Sequence, residues 1–215
     1  MKPLPLPDTL PTRGHSAKQQ CMLDAAASVF CREGFAGANI DLIAAEAGVS
    51  RQTIYNHHKD KESLLAAVVS EISGRCNARA FAVLDTFPDR PQDLQADLTA
   101  FAIRFNRNCI CDRDGQFLRK LLQSEAQRHP QLFSEWRKEG PSRIWAALAA
   151  RLARLAHAGW LELDDPDLAA RQFLALINAD LQMHLILGEQ PTGAELETAS
   201  ANAIRTFLRA YARRT

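Results

Sequence analysis

The stretch richest in usable chemistry is RQTIYNHHKDK, residues 51 to 61. Arg51 can donate two parallel hydrogen bonds to guanine, Gln52 and Asn56 can each pair with an adenine edge, and the Thr53 methyl group can rest against thymine. Tyr55, His57 and Lys61 carry donors suited to phosphate oxygens, which fix register and carry no sequence information. Lys61 sits near a predicted helix start, where the dipole also favours an anion, and a backbone amide at Asn39 or Ile40 can do the same at another start. Ser50 adds a neutral hydroxyl donor. These residue types are those that read DNA base edges in the major groove.

A second set lies in the C-terminal half. Asp180 and His184 are four residues apart, on the predicted face that also carries Phe173, Ile177 and Leu187. A polar pair lining a ligand pocket would have this spacing, and so would an ordinary half-exposed i,i+4 pair beside a core. Phe105, Phe117, Phe133, Trp136 and Trp145 supply enough aromatic bulk to line an apolar cavity and are equally suited to core packing. Glu125 and Arg128 are the nearest polar candidates for a ligand head group. Cys109-x-Cys111 with His129 lacks the second cysteine pair that a zinc site needs, so the two read as incidental thiols and no metal is expected. The sequence contains no GxSxG, HExxH, GxxxxGK or strand-associated GxGxxG motif. Neither an enzyme nor a cofactor is therefore expected.

These residues need elements to hold them. Residues 17 to 33 form a first predicted helix after an N-cap at Ser16, with Met22, Ala26, Val29 and Phe30 at helical spacing and Gly34 as the closing glycine. Asn39 caps a second helix over residues 40 to 47, Gly48 turns the chain, and Ser50 caps a third over residues 51 to 57. Ile43, Ala44, Ala47, Val49 and Ile54 supply the buried seam of a helix-turn-helix, with Ala44 small where the helices approach and Gly48 at positive φ. Asp60 caps a fourth helix to about residue 84. Beyond it every regular segment reads as helix, including one opened by Asp165-Pro166 that ends near Leu187 and a last one from Thr192 to about Arg213. The expectation is an all-α chain of about nine helices: a flexible arm over residues 1–16, a helix-turn-helix domain over 17–65, and an effector-binding and dimerisation domain over 66–215.

Composition narrows the class further. The chain has 215 residues, 26 Lys and Arg against 25 Asp and Glu, and 47% apolar residues, which suit a globular protein. The net charge of +1 excludes a protein that coats polyanions by bulk charge. Even the first 65 residues balance to zero, with net positive charge confined to residues 1–18 and 51–65. Neutral donors must then carry many of the DNA contacts. Five cysteines is an odd count, and Cys21 and Cys31 would lie about 15 Å apart on one helix, so all read as reduced thiols. No signal-like or membrane-spanning stretch is visible, which makes a cytoplasmic, nucleoid-associated protein the expectation.

The run GFAGANIDLIAAEAGVSRQTIYNHHKDKESLL closely resembles the DNA-binding domain of the tetracycline-repressor (TetR) family of bacterial transcription regulators. The match includes Gly34-Phe35, the AGVS turn at residues 47 to 50, Tyr55 and Lys61. The family usually places an aromatic residue, often Phe, where this chain has His58, which either packs there as a neutral imidazole or leaves that corner looser. SEAQRHPQLFSEW, GPSRI and DPDLAARQFLALI resemble the effector region of the AcrR/AefR-like branch. The resemblance implies a homodimer paired through the last two long helices, a double-stranded DNA operator, and a small-molecule effector whose binding releases a repressor from a palindrome. Independently, Leu196, Ala199, Ala203, Phe207 and Tyr211 form an apolar stripe on the last helix that could face either its own core or a partner. A small-molecule-binding helical protein with no operator and a transcriptional activator of the same fold are the alternatives.

Overall fold

A computed structural model describes residues 13–213. The chain is all-α, and an isolated bridge between Leu161 and Ala212 is the one β-type pairing among the described residues. Among the described residues eleven helices follow one another: α1 (Arg13–Gly37), α2 (Ile40–Ala47), α3 (Arg51–His57), α4 (Lys61–Leu84), α5 (Leu94–Phe105), α6 (Arg113–Glu125), α7 (Pro130–Glu139), α8 (Pro141–His157), α9 (Pro166–Ala179), α10 (Gln182–Leu187) and α11 (Gly193–Tyr211). A π-helical turn, Asn106–Ile110, extends α5. The chain divides into two compact units between Glu71 and Ile72, within α4 and beyond the boundary drawn from the sequence at residue 65.

Two sequence expectations need correction. Helix α1 begins at Arg13, so residues 13 to 16, assigned to the arm, are helical and Ser16 is not its N-cap. The rest of the arm, residues 1–12, lies outside the described residues. The long segment expected to end near Leu187 is two helices, α9 and α10, broken at Asp180 and Leu181 without a proline or glycine. The Asn178 side-chain amide donates to the Leu174 carbonyl at 2.7 Å, and the Leu181 backbone amide turns back to the Asn178 carbonyl. The break lets Leu181 reach a small apolar cluster with Cys111, Leu196 and Ala199.

In the N-terminal unit, α1 packs on α2 and α2 on α3. Met22, Val29, Phe30, Ile43, Ile54, Leu64 and Leu65 are at most 1% exposed. In the C-terminal unit, α5, α8, α9 and α11 enclose the main core. A chain of rings runs through it: Phe87 meets Phe101 edge-on at 5.0 Å between centroids, Phe101 leads to Phe173 at 6.1 Å, Phe173 to Phe207 at 5.2 Å, and Phe207 to Tyr211 at 4.8 Å. The α11 stripe is therefore largely spent on the protomer's own core, where Leu196, Ala199, Ala203 and Phe207 are buried. A capping box between Thr192 and Glu195 starts α11, as the sequence implied for Thr192.

Candidate nucleic-acid interface

The reading segment is built by short-range chemistry. Asn39 accepts a hydrogen bond from the Leu42 amide at 2.8 Å and starts α2. Gly48 takes φ 65°, ψ 32°, a left-handed conformation costly for residues with a Cβ, and the Val49 amide returns to the Ala44 carbonyl at 3.0 Å. The chain then turns within three residues to Ser50, whose hydroxyl accepts from the Thr53 amide at 3.0 Å and lies 2.8 Å from the Thr53 hydroxyl.

Helix α3 is anchored by one fully buried side chain, Ile54. Arg51, Gln52, Tyr55, Asn56 and His57 all face solvent, and Thr53 is half-buried. Tyr55, at 43% exposure, is one of few large apolar-bodied side chains so presented. Two polar pairs hold the exposed face. Gln52 donates to Asn56 at 2.9 Å, and Arg51 forms an ion pair with Asp41 of α2 at 3.0 Å. Asp41 was invisible as a partner in sequence reasoning because its first-turn position in α2 already gives it a reason to be acidic.

Lys61 has a further task. Its ammonium donates to the Phe35 carbonyl at 2.7 Å and the Ala38 carbonyl at 2.8 Å, and lies 4.5 Å from the Phe35 ring centroid. An ammonium has three N–H donors, and these contacts use two. The family-like residues Gly34, Phe35 and Lys61 thus form one local device: Gly34 at φ 68° kinks α1, Phe35 stacks near Phe30, and Lys61 ties the start of α4 to the carbonyls there. His58 fills its packing site, 8% exposed, with Nε2 buried and without a hydrogen-bond partner. Burial pushes its pKa down, and the neighbouring His57 adds to the shift, so a neutral imidazole stands where the family has an aromatic ring.

The residues singled out for an effector fall in different places. Phe105, Phe173 and Ile177 belong to the main core. Phe117 is buried on α6, and Trp145 is half-buried on α8. Glu125 is 2% exposed, with Arg128 Nη1 3.6 Å from its carboxylate. Asp180 and His184 do not share one helix face with Phe173, Ile177 and Leu187, because the chain breaks between them and Leu187 is 62% exposed. Instead both line a surface cleft of about 280 Å³ with Leu181, Ala194, Glu195, Thr198 and Ala199. There Asp180 accepts from Asn202 at 3.0 Å, and His184 Nδ1 lies 3.4 Å from Glu189. Burial raises the Cys109 thiol to about 12 and also raises Cys111, so both are protonated at neutral pH.

Comparison with known proteins agrees with this architecture. Residues 22–68 match the family model described as bacterial regulatory proteins, tetR family, and residues 96–213 match the C-terminal domain of AefR-like transcriptional repressors. An HTH-type transcriptional repressor of Streptomyces coelicolor is 41% identical over 59 residues, 27% of this chain and 31% of that protein. The HTH-type transcriptional activator FasR of Mycolicibacterium smegmatis is 30% identical over 114 residues, 53% of this chain and 49% of its own length. The chain thus aligns with half or less of each of these curated relatives. A crystal structure of a Mesorhizobium loti protein assigned to the TetR family superposes with a TM-score of 0.81 at 27% identity, covering 94% of this chain and all of the other. With one family model on the reading segment and another across more than half of the chain, this protein belongs to the TetR family of bacterial regulators, in its AefR-like branch.

Proposed function

We propose that this protein is a ligand-responsive, DNA-binding transcription regulator that occupies a palindromic operator as a homodimer and is released by a small-molecule effector. The observation that carries the reading is α3, whose one buried residue, Ile54, turns Arg51, Gln52, Tyr55 and Asn56 outward on a helix of seven residues. Such a helix fits the major groove, with Arg51, Gln52, Thr53 and Asn56 at base edges and Asn39, Ser50, Tyr55, His57 and Lys61 toward phosphates. The head spans residues 17–65 and the effector and dimer body residues 66–215. Two heads about one DNA turn apart are the usual route to operator affinity, and the last two long helices provide the pairing surface. Since the α11 stripe is spent within the protomer, the pairing faces are the outer sides of α9 and α11, continued by the exposed Leu168, Met183, Ile186 and Leu187. We read the protein as a regulator and not an enzyme, acting in the cytoplasm, where its DNA is. Among the described residues no helix is long and apolar enough to cross a membrane.

The mechanism is linkage. An effector that fits only one spacing of the two heads lowers operator affinity by its differential affinity for the two states. Activation is the second reading, favoured by the match to FasR across 53% of this chain. Gel retardation of the DNA upstream of the gene against random DNA tests the interface. Gln52→Ala is expected to cost about 1–3 kcal/mol of discrimination at one or two base pairs, while Tyr55→Ala weakens operator and random DNA alike. Equal losses for both DNAs with Gln52→Ala would remove the base-reading role.

A further inference from the structure

Four partly buried arginines of the C-terminal unit have partners: Arg104 donates to the Thr86 hydroxyl and carbonyl, and three others meet carboxylates. Arg75 donates to both carboxylate oxygens of Asp114, at 3.0 and 2.9 Å. Arg79 meets Asp112 at 2.6 Å and Asp114 at 2.7 Å. Arg151 meets Asp85 at 2.9 Å and Asp89 at 3.5 Å. Arg119, on α6, is half-buried like these, yet its Nη1 is shielded from solvent with no hydrogen-bond partner, and no carboxylate pairs with it among the described residues. Burial pushes its pKa down, and the one neighbour that opposes the shift is Cys111, a thiol that burial itself keeps neutral. The unit's other candidate head-group reader, Glu125, already has the Arg128 guanidinium beside it.

A guanidinium nitrogen withdrawn from water with no acceptor carries a free-energy cost, because nothing replaces its hydration. A half-buried arginine that faces no acid is therefore a position waiting for one. Its surroundings set the rest of the ligand. Cys111 packs with Leu181, Leu196 and Ala199, and α6 buries Phe117, Leu118 and Leu121 on the turns around Arg119. The π-helical turn Asn106–Ile110 delivers Cys111 to this place, held by the buried Asn106 amide, which donates to the Ile177 carbonyl at 2.9 Å. Turns of this kind recur at functional sites. The nearby Arg75 and Arg79 are already neutralised by Asp112 and Asp114, so one positive charge is on offer and a monoanion balances it.

We infer that Arg119 is the recognition site for the carboxylate of an amphipathic monocarboxylic acid, its planar fork taking both oxygens and the apolar residues beside it taking the body of the ligand. Arginine suits this geometry better than lysine. The inference rests on the reading of residues 66–215 as an effector-binding unit and names the effector's chemical class.

Two measurements test it, the first without ligand. Arg119→Met keeps an unbranched apolar stem and removes the uncompensated charge, so the ligand-free variant is expected to melt above the wild type. A lower melting temperature, or failure to fold, would mean the guanidinium is satisfied inside the protein and would overturn the inference. The second uses octanoate and benzoate against octanamide and benzamide. At least one carboxylate is expected to raise the melting temperature of the wild type where its amide does not. Arg119→Met is expected to bind that carboxylate about ten- to a hundredfold more weakly, the loss of a charge-assisted pair. No response to either carboxylate, or an equal response in the variant, overturns the proposal. Gel retardation on the same samples separates the two readings. Carboxylate binding that leaves the DNA complex intact sinks the effector role and spares the Arg119 site, whereas a DNA complex with no carboxylate binding does the reverse.

Discussion

The two units of this chain use polar residues in opposite ways. In the head, Arg51, Gln52 and Asn56 are exposed, and their partners are one another or the exposed Asp41, so every contact made in the free protein can be exchanged for one with DNA. In the body, partly buried arginines have fixed partners, Arg75 and Arg79 the carboxylates of Asp112 and Asp114 and Arg104 the Thr86 hydroxyl and carbonyl, whereas Arg119 keeps a shielded Nη1 with none. An exposed polar face gains by presenting donors that are cheap to release. A buried one must be matched, and an unmatched member stands out as a place for a ligand. The neutral charge of the first 65 residues follows the same logic, because reading bases needs fixed donors more than it needs net charge.

The largest effects come from the two cores. Phe173→Ala removes a ring packed against both Phe101 and Phe207 and is expected to cost the body about 3–5 kcal/mol, while Ile54→Ala, on the underside of α3, costs the head about 2–5 kcal/mol. If head and body are distinct cooperative units, denaturant unfolding followed by hydrogen exchange will show each variant lowering protection mainly in its own unit. Ile54→Ala should also abolish operator retardation. Uniform loss of protection in both variants would break the comparison.

A smaller effect of opposite sign is expected at His58. Its buried Nε2 has no partner, so His58→Phe should stabilise the head by roughly 1–3 kcal/mol at pH 7.5, the cost of an unsatisfied buried polar atom. The pH dependence has a definite direction. The folded pKa lies below the ordinary 6.5 because burial disfavours the imidazolium. As pH falls below about 6.5 the unfolded chain takes up a proton that the folded head refuses. The contribution from neutral His58 is therefore complete above 6.5 and is lost progressively down to the folded pKa. Melting temperatures of the wild type and His58→Phe should diverge over that interval, and parallel pH profiles would assign the acid sensitivity to another group.

Within the head, residues 39 to 57 were legible in the sequence to the caps and the turn, and the reason is the range of the forces that build them. Asn39, Gly48, Ser50 and Ile54 act within four positions along the chain, and the structure places the caps, the positive φ and the buried anchor there. The body follows different rules. Phe105, Phe173 and Ile177 were legible as aromatic and apolar bulk, but whether such residues line a cavity or fill a core depends on helices 70 or more positions away, such as α5 against α11. The break at Asp180 carries no proline or glycine, so the periodic pattern ran on to Leu187. Arg119 gave no signal at all, since an arginine on an amphipathic helix looks the same whether or not an acid faces it. The Lys61 contact with Phe35 lay between: both residues belonged to the motif, and only the fold showed that they touch.

The smallest expected effect sits at the boundary between exposed and matched. Arg51 and Asp41 are 59% and 64% exposed, so their 3.0 Å ion pair is worth about 0.2–1 kcal/mol. Asp41 is also the acidic residue of the first turn of α2, where its charge favours the helix by a similar amount. Asp41→Asn should then leave the head slightly less stable and bind the operator a few-fold more tightly, because Arg51 no longer leaves a partner to reach guanine and a carboxylate is removed from the approach of the phosphates. The gain should shrink as salt is raised, since the pair it relieves is screened within about 10 Å at 0.1 M. A loss of affinity for the operator but not for random DNA would reverse the assignment. Asp41 would then hold the Arg51 fork in its reading pose, and the head would share the body's habit of fixing each arginine with an acid.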